Sequence, residues 1–309
     1  MSKVLLITGA TGKQGGAVVD ALLSSPDAKD FTILAVTRNA SSSGAQALAN
    51  RSPNIKLVEG DLNDPEAIFK AAARVTSQSV WGVYSVQSSV GSGGADVVGE
   101  ERQGKGLVDS SIAHNVHQFV YSSVDRGGDK SIENPTNIPH FITKHNIERH
   151  LLDKVKSSGT SMAYTILRPV CFMENYTPGF MGKTFATLWK VSVGDKKLQL
   201  ISTADIGYFA AQAFIHPEQY HNKALSLAGD DLTFFEASEI FKSKTGAEMS
   251  TTFDIIASGI TWASKEMGLM FKWFREEGYG ANVAELKKIH PGLLGFGDWL
   301  KEKSAFETK

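Results

Sequence analysis

Gly9, Gly12 and Gly15 sit three residues apart in the run GATGKQGG, directly after the apolar stretch KVLLIT and ahead of a helical pattern. Glycines placed this way let bare backbone amides approach an anion with no Cβ between them, and a helix that starts there turns its positive end on the anion. The chemistry on offer is phosphate binding. Arg38 and Asn39 close a second β-branched run in VTRN, and a guanidinium there matches a further phosphate. A third group combines an imidazole and an amine in His140 and Lys144. A spacing of four puts His140 and Lys144 on one helix face. Imidazole titrates near neutrality and delivers protons, whereas an ammonium donates to hydroxyls. His140 therefore either acts as an acid or only lines a pocket beside Lys144.

These groups need elements that bring them to one edge. Short apolar runs recur along the chain: KVLLITG, FTILAVTR, IKLVEGD, VWGVYSV, HQFVYSS and MAYTILRP. All but the last are followed by helical spacing, which predicts a parallel sheet with helices on both faces. The first helix, from Gly15 to about Leu23, turns Val18, Val19, Leu22 and Leu23 inward; another, from about Glu101 to His114, does so with Leu107, Val108, Ser111 and Ile112. Between the fourth strand and that second helix SSVGSGGADVVG (88–99) reads as a flexible loop at the carboxyl edge of the sheet, either a lid or a loop with no role. Past about residue 170 the alternation breaks. There Thr233 and Glu236 form a capping box ahead of Ala237, Ile240 and Phe241, and the helix ends near Gly246. The aromatic and Met-rich stretch from Ser258 to Phe274, with Trp262, predicts a helix or two against a core.

A chain of 309 residues allows one large core and one smaller one. The net charge of −1 and scattered Lys and Arg exclude direct nucleic-acid binding. The lone Cys171 excludes an internal disulfide, fits a reducing compartment, and is read as an inert core residue rather than a reactive thiol. Val4 to Ile7 is too short for a signal-peptide core or a membrane span, so the chain is expected in the cytosol or the nucleus. His140, His145 and His150 are spread around a helix by their spacing of five, and His114 with His117 lacks further ligands nearby, so no metal is expected.

A strand, a glycine turn and a helix in succession mark a dinucleotide site on a Rossmann-type sheet. The end of strand two carries no acid, and Arg38 in its place favours NADP(H), with serines 41, 42 and 43 as added donors. The expected cofactor contacts are Gly9, Thr11, Gly12, Lys13, Gln14, Gly15, Arg38, Asn39, Asp61, Leu62, Lys144 and Phe172. Asp61 equally suits a helix cap. Met173 and Asn175, with Phe172, are expected to shape an apolar substrate wall with one polar contact. Arg168, at the end of strand six, either steers the chain past the nicotinamide or makes a structural ion pair. The expected fold is α/β, a doubly wound parallel sheet in residues 1–169 with a smaller α/β lobe in 170–309, from which about 200–216 returns to the sheet.

The chain resembles the NmrA-like family of atypical short-chain dehydrogenase/reductases. Its GATGKQGG with Gln14, VTRN, VEGDLND, FVYSS, LRPVCFMEN and ADIG look like that family's signposts. The resemblance implies NADP(H) binding, with Lys144 in the superfamily's lysine slot, Ser123 in its serine slot and His140 where the superfamily has tyrosine. It also implies two functional outcomes. One is a reductase of a small carbonyl, quinone or enone. The other is an NADP(H) or redox sensor that regulates a protein partner such as a transcription factor. The substrate, the partner and the oligomeric state stay open at this level.

Overall fold

The computed structural model describes residues 3–87, 90, 91, 94–255, 259 and 263–309. Its strands are β1 (Val4–Ile7), β2 (Thr32–Thr37), β3 (Ile55–Glu59), β4 (Gly82–Ser85), β5 (Val90–Gly91), β6 (Gly94–Ala95), β7 (Gln118–Ser122), β8 (Ala163–Pro169), β9 (Cys171–Phe172), β10 (Leu198–Ile201), β11 (Lys223–Leu227) and β12 (Asp230–Leu232). Its helices are α1 (Lys13–Ser24), α2 (Ser43–Ala49), α3 (Pro65–Val75), α4 (Val97–Ala113), α5 (Pro139–Ser157), α6 (Phe180–Leu188), α7 (Thr203–Ile215), α8 (Pro217–Tyr220), α9 (Phe234–Thr245), α10 (Lys265–Glu276), α11 (Val283–Ile289) and α12 (Phe296–Glu302). Two compact units emerge, residues 1–123, 143–167 and 206–225 in the first and 124–142, 168–205 and 226–309 in the second. Neither is a continuous run of chain.

The first unit is built on a seven-stranded sheet in the order β11-β8-β7-β4-β1-β2-β3. From β8 to β3 every pairing is parallel. All six runs read as strands in the sequence belong to it. Central β1, β4 and β7 are buried at every residue, whereas edge strand β3 buries only Ile55 and Val58, as expected when helices cover both faces of the middle only. Strand order reverses between β1 and β4, the place where open α/β sheets hold ligands beyond their carboxyl ends. One face packs Leu6, Leu34, Phe69, Leu107, Phe119 and Ile147 together. Helix α3 starts on the Asp64 side chain, which accepts from the Ala67 amide at 3.0 Å, with Pro65 filling the first turn.

The stretch read as a flexible loop is corrected in part. Val90–Gly91 pairs antiparallel with Gly94–Ala95, and Val97 to Gly99 already belong to α4, capped by Asp96 through the Gly99 amide at 2.7 Å. Ser88, Ser89, Ser92 and Gly93 lie outside the described residues.

The second unit holds the three-stranded sheet β12-β10-β9 and a core around Trp189, Phe271, Trp273, Phe274, Phe296 and Trp299. The Thr233–Glu236 capping box opens α9, which ends at Gly246 with φ +79°. Phe271, Trp273 and Phe274 of α10 are core residues; Ser258 and Trp262 lie outside the described residues. Asp125, fully buried, gathers distant segments: its carboxylate accepts from the amides of Gly127, Gly128 and Gly280 and from the Ser226 hydroxyl. Among the described residues no helix is long and apolar enough to cross a membrane.

Candidate functional site

The glycine turn follows β1. Gly9 has φ +60°, and a Cβ there would stand 2.9 Å from the Val86 side chain past the end of β4. Gly12 donates its amide to the Gly9 carbonyl at 2.8 Å, and its own Cβ would sit 3.2 Å from that oxygen. At Gly15 a Cβ would collide with the Gly9 backbone and lie 2.6 Å from the Thr8 carbonyl. The Thr8 hydroxyl knits β1 to β4, donating to the Tyr84 carbonyl at 3.0 Å and accepting from the Val86 amide at 2.9 Å. Helix α1 begins at Lys13, two residues before the sequence pattern suggested, and its N-cap, Gly12, has no side chain to close it. The positive end of α1 thus follows a turn packed too tightly for Cβ atoms and carries no side-chain cap, so its amides are left for an anion, which fits a pyrophosphate. Thr11 and Lys13 are exposed on this turn. Gln14 is anchored: its side-chain carbonyl accepts from Ser122 at the end of β7, at 2.6 Å.

At the end of β2, Arg38 is exposed and makes no ion pair or side-chain hydrogen bond among the described residues. Asn39 orders the loop around it, its side chain accepting from the Ser41 amide at 2.8 Å and its carbonyl from the Ser42 hydroxyl at 2.9 Å. Ser42 also caps α2, so that donor is spent within the loop. Glu59, which the sequence did not single out, accepts from the Ala40 amide at 2.8 Å. Its signal was register, since Glu59 pairs with Thr37 across β2 and β3. Asp61 caps no helix; its carboxylate turns the chain by accepting from the Asn63 amide at 2.8 Å, and Asp64 is the cap. Leu62 packs against the sheet's core.

Ser123, directly after β7, donates to Glu148 of α5, and both are buried. Lys144 on the same helix ion-pairs with Glu100 of α4 at 2.8 Å, with side-chain exposures of 14% and 1%. The other oxygen of Glu100 accepts from Thr143 at 2.6 Å. Sequence reasoning missed both glutamates, because Glu100 is paired by the approach of α4 to α5 and Glu148 by the approach of α5 to the end of β7, and not by any local spacing.

His140 belongs to the second unit. Its Nδ1 pairs with Glu266 of α10, and its ring meets Phe141 edge-on at 4.7 Å. Phe172 is half-buried. The expectation of a substrate wall at Met173 is corrected: the side chain is wholly buried in this unit's core, as is Trp189, and neither faces open space. Asn175 points its amide at the Cys171 sulfur, 3.8 Å away. Burial pushes the Cys171 thiol up to about 11, against thiolate formation near neutrality. Arg168 is buried. Among the described residues no group of three or more His, Cys, Asp or Glu side chains is placed to hold a metal ion.

An NmrA-like family domain-containing oxidoreductase of Penicillium ochrochloron is 28% identical over 260 residues, covering 79% of this chain and 73% of that protein. An NADPH-dependent quinone oxidoreductase of Escherichia coli, solved with NADPH, superposes with a TM-score of 0.72 at 21% identity, over 96% of this chain and 98% of that one. NmrA, a negative transcriptional regulator solved with NAD, does so with a TM-score of 0.69 at 14% identity, over 98% and 95%. The NmrA-like family model matches residues 1–299, and with the reversed strand order, the glycine turn and Lys144 of α5 in place, this chain belongs to the NmrA-like family.

Proposed function

We propose that this chain binds NADP(H) and acts as an oxidoreductase on a small carbonyl, quinone or enone. The observation that carries the reading is the glycine cradle at the strand-order reversal, opening on the uncapped start of α1. Its amides meet the pyrophosphate, and Arg38, with no competing partner among the described residues, meets the 2′-phosphate. Bound NADPH supplies a hydride equivalent. Lys144 keeps two of its three N–H donors beyond the one given to Glu100, and these hold the ribose hydroxyls. A water molecule supplies the proton, and His140, in tyrosine's slot, is itself paired with Glu266. The kinship with named oxidoreductases supports this reading.

A second reading is a sensor of the NADP(H) pool that regulates a protein partner. It is favoured by the absence of tyrosine at position 140 and by Ser123, whose hydroxyl proton is already committed to Glu148. A screen following the absorbance of NADPH against quinones, aldehydes and enones separates the two. Oxidation above background by at least one acceptor is expected. NADPH binding without turnover across the panel would leave the sensor standing.

A further inference from the structure

Glu100 stands in the first turn of α4, only 1% exposed. A carboxylate this deep is costly unless both oxygens are satisfied, and here both are spent on consecutive residues of α5, Thr143 at 2.6 Å and Lys144 at 2.8 Å. The two helices are brought close one turn further on, where Gly104 meets Ile147: a Cβ on Gly104 would stand 2.8 Å from Ile147 Cγ1. Glycine at 104 is therefore what lets the Glu100 side chain reach α5. Lysine is a point charge on a flexible four-carbon stem, so alone it has no fixed aim. With one N–H fixed on Glu100 and the stem buried, the tetrahedral ammonium has two remaining donors in set directions.

We propose that Glu100 is the positioning residue of Lys144, aiming its ammonium at the ribose of NADPH and carrying its countercharge; this rests on the reading of the chain as an NADP(H)-binding oxidoreductase. Thr143 holds the other carboxylate oxygen and keeps Glu100 from swinging off the lysine. The rival role is a plain staple between α4 and α5, which would affect folding but would not act through the lysine.

The test titrates NADPH calorimetrically into the full-length protein and into Glu100→Gln, Lys144→Met and the double variant, with thermal unfolding alongside. Glu100→Gln is expected to weaken NADPH about tenfold, and Glu100→Asp, which keeps the charge, to regain part of that loss. In the Lys144→Met background, Glu100→Gln is expected to add nothing, because the group it positions is gone. The double variant strands no buried charge, so it reports on binding even where a single variant unfolds. An equal loss from Glu100→Gln in both backgrounds assigns the staple role and overturns the proposal. Wild-type affinity in Glu100→Gln overturns it while leaving the functional reading intact. A wild-type chain that takes up no NADPH overturns both.

Discussion

Gly207 of α7 lies against Ala17 of α1 with no space for another methyl group: a Cβ on Gly207 would overlap the Ala17 carbonyl and stand 2.9 Å from the Ala17 Cβ. This glycine belongs to the ADIG signpost, and its role in the fold is to seat one helix on the helix that follows the glycine turn. Gly207→Ala is expected to destabilise the protein by about 1–3 kcal/mol. Urea unfolding measures this, and an unshifted midpoint would mean that α7 slides without cost.

Cofactor choice is expected to follow Arg38. A charge-assisted bond to a 2′-phosphate is worth about 1.5–3 kcal/mol, so Arg38→Ala should weaken NADPH roughly 10- to 100-fold and leave NADH unchanged. Arg38→Glu should go further, since a carboxylate there repels the phosphate and accepts a ribose hydroxyl. Calorimetry with both cofactors decides it; parallel losses for NADH and NADPH would place the guanidinium elsewhere than the 2′-phosphate.

Alkaline sensitivity is expected from buried acids in the second unit. Burial raises the Cys171 thiol from 9.0 to about 11. The folded state thus holds this proton more tightly than the unfolded chain does. Its contribution to stability is complete below pH 9 and is lost as pH rises through 11, a difference of about 2–3 kcal/mol. Tyr176 and Tyr279, also raised by burial, act in the same sense at higher pH. Between pH 9 and 11 the urea midpoint of wild type should therefore fall faster than that of Cys171→Ala. Matching slopes would remove Cys171 as a source of the effect.

Much of this architecture was legible because it is written locally. Alternating apolar runs gave the strands their places, Thr233 with Glu236 marked a helix start, and Gly9, Gly12 and Gly15 marked the turn. The readings that changed depend on contacts far apart in sequence. Whether Met173 lines a cleft or fills a core is decided by what packs on it, and it is buried. Glu100 and Glu148 meet Lys144 and Ser123 from 44 and 25 residues away, across a helix pair in the first case and a helix and a strand end in the second, whose closeness no periodicity encodes. Composition marked residues 88–99 as loose, yet an aspartate at 96 was enough to start a helix inside that stretch.

The carboxylate of Asp125 has a consequence for how the chain is made. A ribosome delivers Gly280 only 155 residues after Asp125, so over that stretch of synthesis the side chain has the Gly127 and Gly128 amides for company and lacks the closing one. The sheet likewise waits for the strand carried by residues 223–227 at its border. Maturation of the sheet is thus deferred to residue 227 and closure of the Asp125 cluster to residue 280, and a nascent chain stalled before residue 227 has finished neither.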